Sequence, residues 1–383
     1  MNAAVDTTDE ILAMLRDGIE RYTNEHYSFE QRWATLRSAH GYSEQAWADY
    51  AEMGWLALRL PEDEGGIAAE ASATAPLMEA VGARLLMEPL LMSTILCTGL
   101  ICKRGSDAQK AQMFPKLADG SLKLALAHQE SLSASVDSES LGAISCEYRD
   151  GTLNGSKQAV LHGDCADRLI VSSRDAAGRL RLCVVDTAAA GVDRRNFRLL
   201  DGRGAATVNF NDARAEALAA PGSIEADAEA LADALNEASV ALCSEALGAI
   251  CALNAATLQY LKIRKQFGKI IGAHQALQHR MVEMYMLQQE VRALSLAAQQ
   301  ALEKRAAHRD RIISGARAFT CGAARRIAAE AVQMHGGIGI TDELDVSHYY
   351  RRLMVIGTLF GNRDCHLDRF ASACASAERD PEE

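Results

Sequence analysis

Beyond Pro221 the chain keeps a helical period through two long stretches, and that persistence limits the fold more than any other feature. Leu231, Leu235, Leu242, Ala246, Ile250 and Leu253 fall on one helical face. Met281, Met284, Leu287, Val291, Leu294, Ala298 and Leu302 do the same in the stretch that follows. Stripes this long with short connections predict the antiparallel helices of a four-helix bundle. The stripes are core, and the methionines among them are packing rather than a cofactor box.

The preceding chain divides in two. Up to about residue 122 it reads as helical. Thr7 and Glu10 stand at capping-box spacing, and a helix near Glu44–Met53 should stop at Gly54, a favourable C-cap. The Pro61–Gly66 run is a turn with acidic decoration. From Lys123 to Ala219 the period changes: Arg179-Leu180-Arg181-Leu182 and Val208-Asn209-Phe210-Asn211 alternate as strands do, and Asp150-Gly151 is a hairpin signal. The expected order is a helical domain at residues 1–122, an antiparallel β-domain at 123–222 and a helical bundle at 223–383. Such an order alone implies no function.

A formal charge of −11 and no clustered basic face argue against a nucleic-acid partner. Ten cysteines lie scattered with no CxxC pair and no metal spacing, which suits buried thiols in a reducing cytosol. The N-terminus carries Asp6, Asp9 and Glu10 in place of a basic start and apolar core, so no signal peptide is expected. The apolar stretch at residues 85–100 is broken by Glu88 and Pro89 and is too short to span a bilayer. These features predict a cytoplasmic protein without a membrane span.

Two runs in the last segment are far more specific. One is Arg264-Lys265-Gln266-Phe267-Gly268-Lys269, with Ile271-Gly272, Gln275 and Gln278-His279 after it. The other is Gln333-Met334-His335-Gly336-Gly337-Ile338-Gly339, then Thr341 and Glu343. With Met53-Gly54-Trp55 and Pro61 to Gly66 upstream, they resemble the signatures of the acyl-CoA dehydrogenase family along nearly the whole chain. The resemblance implies an N-terminal helical domain, a middle β-domain and a C-terminal four-helix bundle, the order already read from the residues. It also implies FAD, an acyl-CoA substrate and electron delivery to an electron-transferring flavoprotein. In that family a carboxylate removes the α-proton while the β-hydride passes to the flavin. Proton abstraction from so weak an acid needs a base in a dry site and donors on the thioester carbonyl.

The resemblance further implies an FAD site shared between two subunits. The elements that reach across to a neighbour's flavin are intact: Arg264 offers a forked donor to pyrophosphate, and Gln266 and Gln333 offer hydrogen bonds. Phe267 packs on the ring system, and Gly336 and Gly337 allow close backbone approach. The elements that hold the subunit's own flavin depart from the pattern. Where a Thr-Glu-Pro stretch leading to Gly-Ser-Asp is usual, the chain reads Gln129-Glu130-Ser131 and Leu132-Ser133-Ala134-Ser135-Val136. Where Trp-Ile-Thr is usual, it reads Ala159-Val160-Leu161, then His162-Gly163-Asp164.

The base is missing from both positions the family uses. Counting from Gln333 places Phe360-Gly361 at the usual Glu-Gly, and counting from Gly248 places Ala238 at the alternative site. Glu237 is the remaining candidate, one helical step away; it also reads as an exposed helix carboxylate. Glu245 reads as structural, and Cys365, His366 and Asp368 do not converge as a nucleophile-base set. Arg292 and Lys304 read equally as CoA contacts and as solvated charges.

Retention of one half and loss of the other predicts the non-base-bearing subunit of a heteromeric (α2β2) enzyme. The stretches Val160–Asp164, Ala166–Arg168 and His348–Leu353 resemble the small subunit of pimeloyl-CoA dehydrogenase, and α2β2 assemblies include enzymes of steroid side chains. Two alternatives stay open: a self-sufficient homotetramer with a non-standard base, and a flavin-free acyl-CoA-binding scaffold.

Overall fold

The computed structural model describes residues 2–38, 41–131, 144–219, 225–266 and 268–379. Helices come first: α1 (Asn2–His26), α2 (Phe29–Arg37), α3 (Glu44–Glu52), α4 (Ala71–Arg84), α5 (Thr98–Arg104) and α6 (Asp107–Ala118). A π-helical turn at Leu90–Cys97, buried at all eight positions, leads into α5. Strands follow: β1 (Leu124–Ala127), β2 (Glu147–Arg149), β3 (Thr152–Leu161), β4 (Arg168–Arg174), β5 (Leu180–Asp186), β6 (Val192–Arg198) and β7 (Gly204–Ala217). The rest is α7 (Glu225–Ile263), the two-residue strands β8 (Lys265–Gln266) and β9 (Lys269–Ile270), α8 (Gln275–Glu303), α9 (Arg309–His335), α10 (Asp345–Ile356) and α11 (Arg363–Arg379).

These elements form two compact units. One comprises Met1–Ala34, Ala71–Leu86 and Ser239–Glu383; the other Thr35–Glu70 and Met87–Ala238. The second unit holds one seven-stranded sheet, in which β4–β5, β2–β3, β3–β7, β5–β7 and β6–β7 are antiparallel. β1 and β2 each meet β4 in parallel. The Asp150-Gly151 signal is realised as a two-residue turn between β2 and β3, with φ of 49° and 83°. Both central residues are thus left-handed, as a turn matching strand twist requires. At the start of α7 the buried Asp227 receives Arg104 Nε at 2.6 Å and the Leu182 backbone N–H at 3.2 Å, tying helix and sheet within this unit.

In the first unit the stripes of α7 and α8 are core. Leu242, Ala246, Ile250 and Leu253 are fully buried, as are Val291 and Ala298, while Leu287 and Leu294 are half-buried. α7 is apolar enough by length and composition to cross a membrane, but 78% of that window is buried inside the protein, as in a core helix. Its close neighbour is α4. A Cβ on Gly82 would overlap the Glu245 carbonyl oxygen, and one on Gly248 would overlap that of Glu79. The two backbones therefore touch, and only glycine fits at either point.

One capping expectation fails. α1 begins at Asn2, so Thr7 is inside the helix and not at its N-terminus; the alanine-rich turn before it is itself a good helix former. The stop after α3 holds, with Gly54 at φ 74°, and Ser43 caps its start by accepting from the Ala46 N–H.

α10 is held to the α1–α2 region by a buried Arg32, whose Nη1 lies 2.6 Å from His348 Nδ1. Burial first and the Arg32 charge second push His348 down to about 4. The imidazole is neutral in the native protein and titrates freely once unfolded, so the unfolded chain binds more protons below about pH 6.5. His348 therefore contributes a loss of ~1.4 kcal/mol of stability per pH unit as pH falls from about 6.5 to 4. Urea titrations across that range should show it, and His348→Gln should remove that share of the slope. Gly248→Ala should cost about 1–3 kcal/mol through overlap with α4, whereas Gly337→Ala, with open space around its Cβ, should be near neutral.

Candidate functional site

The Arg264–Lys269 run forms a tight hairpin in which β8 pairs with β9 through Gly268 at φ 80°, closed by the Ile271 N–H donating to the Arg264 carbonyl. Phe267 lies outside the described residues. The side chains of Arg264 and Gln333 are exposed and make no hydrogen bond among the described residues; that of Gln266 donates only to the Lys265 carbonyl. The second run ends α9, where Gly336 adopts φ 68° and ψ −148°, a conformation open to glycine alone. Gly336 and Gly337 are both exposed.

What brings the two runs together is a contact the sequence reading passed over. Tyr260, one turn before Arg264, stacks on His335 at 4.3 Å between ring centroids, and its hydroxyl donates to the His335 carbonyl at 3.3 Å. His335 is buried and its Nδ1 reaches the Ala331 carbonyl at 2.8 Å. Arg264, Gln333, Gly336 and Gly337 thereby share one end of the bundle. A forked cation and an amide whose side chains have no internal partner, beside two exposed glycines that leave room for close approach, suit a pyrophosphate and an adenine. Four isoleucines rim this end: Ile263 and Ile340 are each 72% exposed, and Ile270 and Ile338 each 39%. Exposed apolar groups clustered around polar ones suit a docking surface.

In the second unit the stretches at residues 128–131 and 157–161 are joined, but by groups of their own. Lys157, wholly buried, reaches Glu130 Oε1 at 2.6 Å, the His128 carbonyl at 3.1 Å and Ser172 Oγ at 3.1 Å. Burial lowers Lys157, opposed by the Glu130 charge. Burial also disfavours the Glu130 anion, yet Lys157 and hydrogen bonds from Ser145 and Cys146 outweigh it and hold that carboxyl below its usual range. The Gln158 N–H donates to the Gln129 carbonyl at 2.7 Å. β3 then bulges at Ala159, whose φ is 48°, and turns Val160 and Leu161 into the core, each 3% exposed. Neither carries a polar atom for a flavin ring. Leu132 to Val136 lie outside the described residues. His162 to Asp164 form a turn; His162 is buried beside the Met87 carbonyl at 3.2 Å.

None of the positions counted for a base supplies one. Phe360 is half-buried with φ 52°, and Ala238 is fully buried. Both oxygens of Glu237 are taken by cations, Oε2 by Arg59 at 2.9 Å and Oε1 by Lys103 at 3.0 Å; Lys103 also reaches Asp233 at 3.5 Å. Glu237 is a member of an ion-pair network rather than the exposed carboxylate that its sequence context suggests. Glu245 is wholly buried and bidentate to Arg352, both contacts 2.7 Å. In the C-terminal cluster His366 is buried and Asp368 exposed, so the two face apart. Arg292 and Lys304 are both exposed.

Comparison with known proteins settles the family. The acyl-CoA dehydrogenase N-terminal domain matches residues 9–121, and the acyl-CoA dehydrogenase C-terminal domain matches residues 228–374. The chain belongs to the acyl-CoA dehydrogenase family. It is 26% identical over 352 residues to acyl-CoA dehydrogenase IpdE2 of Mycolicibacterium smegmatis, covering 91% of this chain and 94% of that one. It is 29% identical over 346 residues to acyl-CoA dehydrogenase FadE12 of Mycobacterium tuberculosis, covering 86% of each. Among solved structures, a variant of the Tcur3481-Tcur3483 steroid ACAD shares its fold with a TM-score of 0.87 at 24% identity, over 97% of this chain and 99% of that one. The ChsE4-ChsE5 complex of Mycobacterium tuberculosis does so at 0.82 and 20%, over 98% of each. Membership makes the chain an oxidoreductase of acyl-CoA thioesters, in a family whose enzymes generally bind FAD.

The two acids should part company on substitution. Glu245→Gln leaves Arg352 buried without its anion and should cost about 3–5 kcal/mol in chemical denaturation. Glu237→Gln, with partial solvent access, should cost on the order of 1–2 kcal/mol.

Proposed function

We propose that this chain is the subunit of an FAD-dependent acyl-CoA dehydrogenase that lacks the catalytic base and completes the FAD site of a second, unlike subunit. One observation carries the reading. The side chains of Arg264 and Gln333 stand unengaged among the described residues beside the exposed Gly336 and Gly337, while Phe360 and Ala238 occupy the places of a base. The isoleucine rim around them supports a partner chain at that end. Two structural neighbours are each named as a pair of components, Tcur3481-Tcur3483 and ChsE4-ChsE5, and the first is a steroid ACAD. We extend that pairing, and a bulky acyl-CoA such as a steroid side chain, to this protein.

The residues present fit the adenine-pyrophosphate end of FAD: Arg264 would pair with phosphate, Gln333 with phosphate or adenine, and the glycines would admit backbone approach. When bound, FAD supplies the hydride acceptor, and electrons would pass on to an electron-transferring flavoprotein. This chain's share is to bind and orient; the proton at the α-carbon is left to a carboxylate of the partner. Ten thiols, burial pushing Cys165 and Cys183 up to about 12, suit a cytoplasmic protein. The self-sufficient alternative needs a base, and Glu237 already has both oxygens engaged.

The test is flavin content and acyl-CoA dehydrogenation by the chain alone and co-expressed with its unlike partner. The expected result is a colourless, inactive chain alone and an active complex with one FAD per heterodimer. A yellow, active homo-oligomer would refute the proposal. Within the complex, Arg264→Ala should reduce flavin occupancy at least tenfold while changing the stability of the chain by no more than about 0.5 kcal/mol.

A further inference from the structure

In the first unit α1, α4, α7 and α8 line a cleft of about 550 Å³. Gly248 and Cys251 supply its α7 side; Cys251 is roughly 18 Å along the helix from Ile263, so the cleft is separate from the end that presents Arg264. Three arginines face it from three helices: Arg16 of α1, Arg84 of α4 and Arg292 of α8. None of them makes an ion pair among the described residues. Arg84 donates to the Asn24 side-chain oxygen, Arg292 Nη2 lies 3.3 Å from Cys251 Sγ, and the Arg16 side chain makes no hydrogen bond. Elsewhere in the same unit Arg280 of α8 is matched to Glu330 and Arg352 of α10 to Glu245.

Two acids share the cleft, and neither closes on an arginine. Glu20 is exposed; Glu79 of α4 is half-buried, and its carboxyl makes no hydrogen bond or ion pair among the described residues. Burial pushes that carboxyl up, and Arg292 and then Arg16 oppose the shift from beyond ion-pair distance. Burial raises the Cys251 thiol as well, so it adds no charge at neutral pH. Three guanidinia against two carboxylates leave the lining positive. Guanidinia around a shared space recognise oxyanions through forked donors. Ile19, Pro76 and Ala80 give the cleft an apolar wall, and its volume suits a small molecule, for which about 300–1,000 Å³ is usual, rather than a bare ion.

We infer that this cleft binds a small organic oxyanion, a carboxylate or phosphate monoester on a short carbon skeleton. Arg16 and Arg292 hold the charged head, Arg84 adds a third cation, and the skeleton lies on Ile19, Pro76 and Ala80. Glu79 gives the binding its pH dependence. Ionised, it repels the anion; protonated, it donates a hydrogen bond to it. The complex therefore holds more proton than the free chain, and affinity falls as pH rises through the raised range of Glu79. The other charged groups lining the cleft are Arg16, Arg84, Arg292 and Glu20, and the arginines stay charged throughout. Occupancy joins α1 to α4, α7 and α8 and stabilises the folded chain by mass action.

The probes are glycerol 3-phosphate and succinate, with inorganic phosphate for comparison, titrated calorimetrically into the full chain, with its partner where one co-purifies. At least one organic probe should saturate with a Kd below about 1 mM and raise the melting temperature by a few degrees. Binding of glycerol 3-phosphate alone supports the inference with a phosphate ester as the class, and of succinate alone with a carboxylate. Arg292→Gln, at an exposed position, should weaken binding at least tenfold. Glu79→Gln should tighten it at least threefold at neutral pH and flatten its pH dependence, which loss of a merely structural acid would not do. Neither substitution should change the flavin content of the complex. No saturable binding of either organic probe at about 10 mM would overturn the inference. So would inorganic phosphate binding as tightly as the better organic probe, or an unchanged Kd in Arg292→Gln.

Discussion

The first unit is organised around the line where α4 and α7 touch backbone to backbone. Gly82 meets the Glu245 carbonyl and Gly248 meets that of Glu79, so each helix contributes one glycine and one carbonyl to the crossing. At this distance no side chain intervenes, and neither helix can slide by one residue without driving a Cβ into an oxygen. The side chain of Glu245 is then free to serve another helix, and it holds Arg352 of α10 through two equal contacts. α7 is therefore located by two kinds of force at nearly the same residue, steric on one side and ionic on another. Tyr260, stacked on His335 of α9, sits further along the same helix, so the end that presents Arg264 inherits its position from this crossing.

Features written in neighbouring residues were legible in the sequence. The bundle stripes, the Asp150-Gly151 hairpin and the Gly54 stop all depend on local spacing or on one residue's φ, and they appear as expected. The Thr7 reading failed because a capping pair says nothing about whether the turn before it is itself helical. The site divided along the same line. The positions of Arg264, Gln333 and the glycines came from contiguous motifs. The state of Glu237 depended on Arg59 and Lys103, 178 and 134 residues away, and that of Glu245 on Arg352, 107 residues away. Nothing in the local sequence of an acid records which cation will reach it. The Leu90–Cys97 stretch shows the complementary limit: a π-helical turn buried on every side leaves no polar face for a 3.6-residue period to reveal.

The contrast between the two flavin-related regions is chemical as well as positional. At the end of the bundle, donors stand unengaged in solvent and a glycine-only conformation is kept at an exposed turn, although neither helps the unit to pack. In the β-domain the donors are consumed internally, and the positions where hydroxyls would face a ring are apolar and buried. A folded chain keeps unspent polar groups where something outside it uses them.

The Lys157–Glu130 pair makes the difference hard to undo. The ammonium is fully enclosed and its carboxylate is nearly so, with side-chain exposures of 0% and 14%. Replacing either residue alone strands a charge of the opposite sign in the interior of the sheet, so a polar flavin cradle cannot arise here by single acceptable steps. Both ends would have to change together, along with the apolar Val160 and Leu161 beside them. The ion pair works as a ratchet: once formed, neither of its residues can change alone without stranding the other.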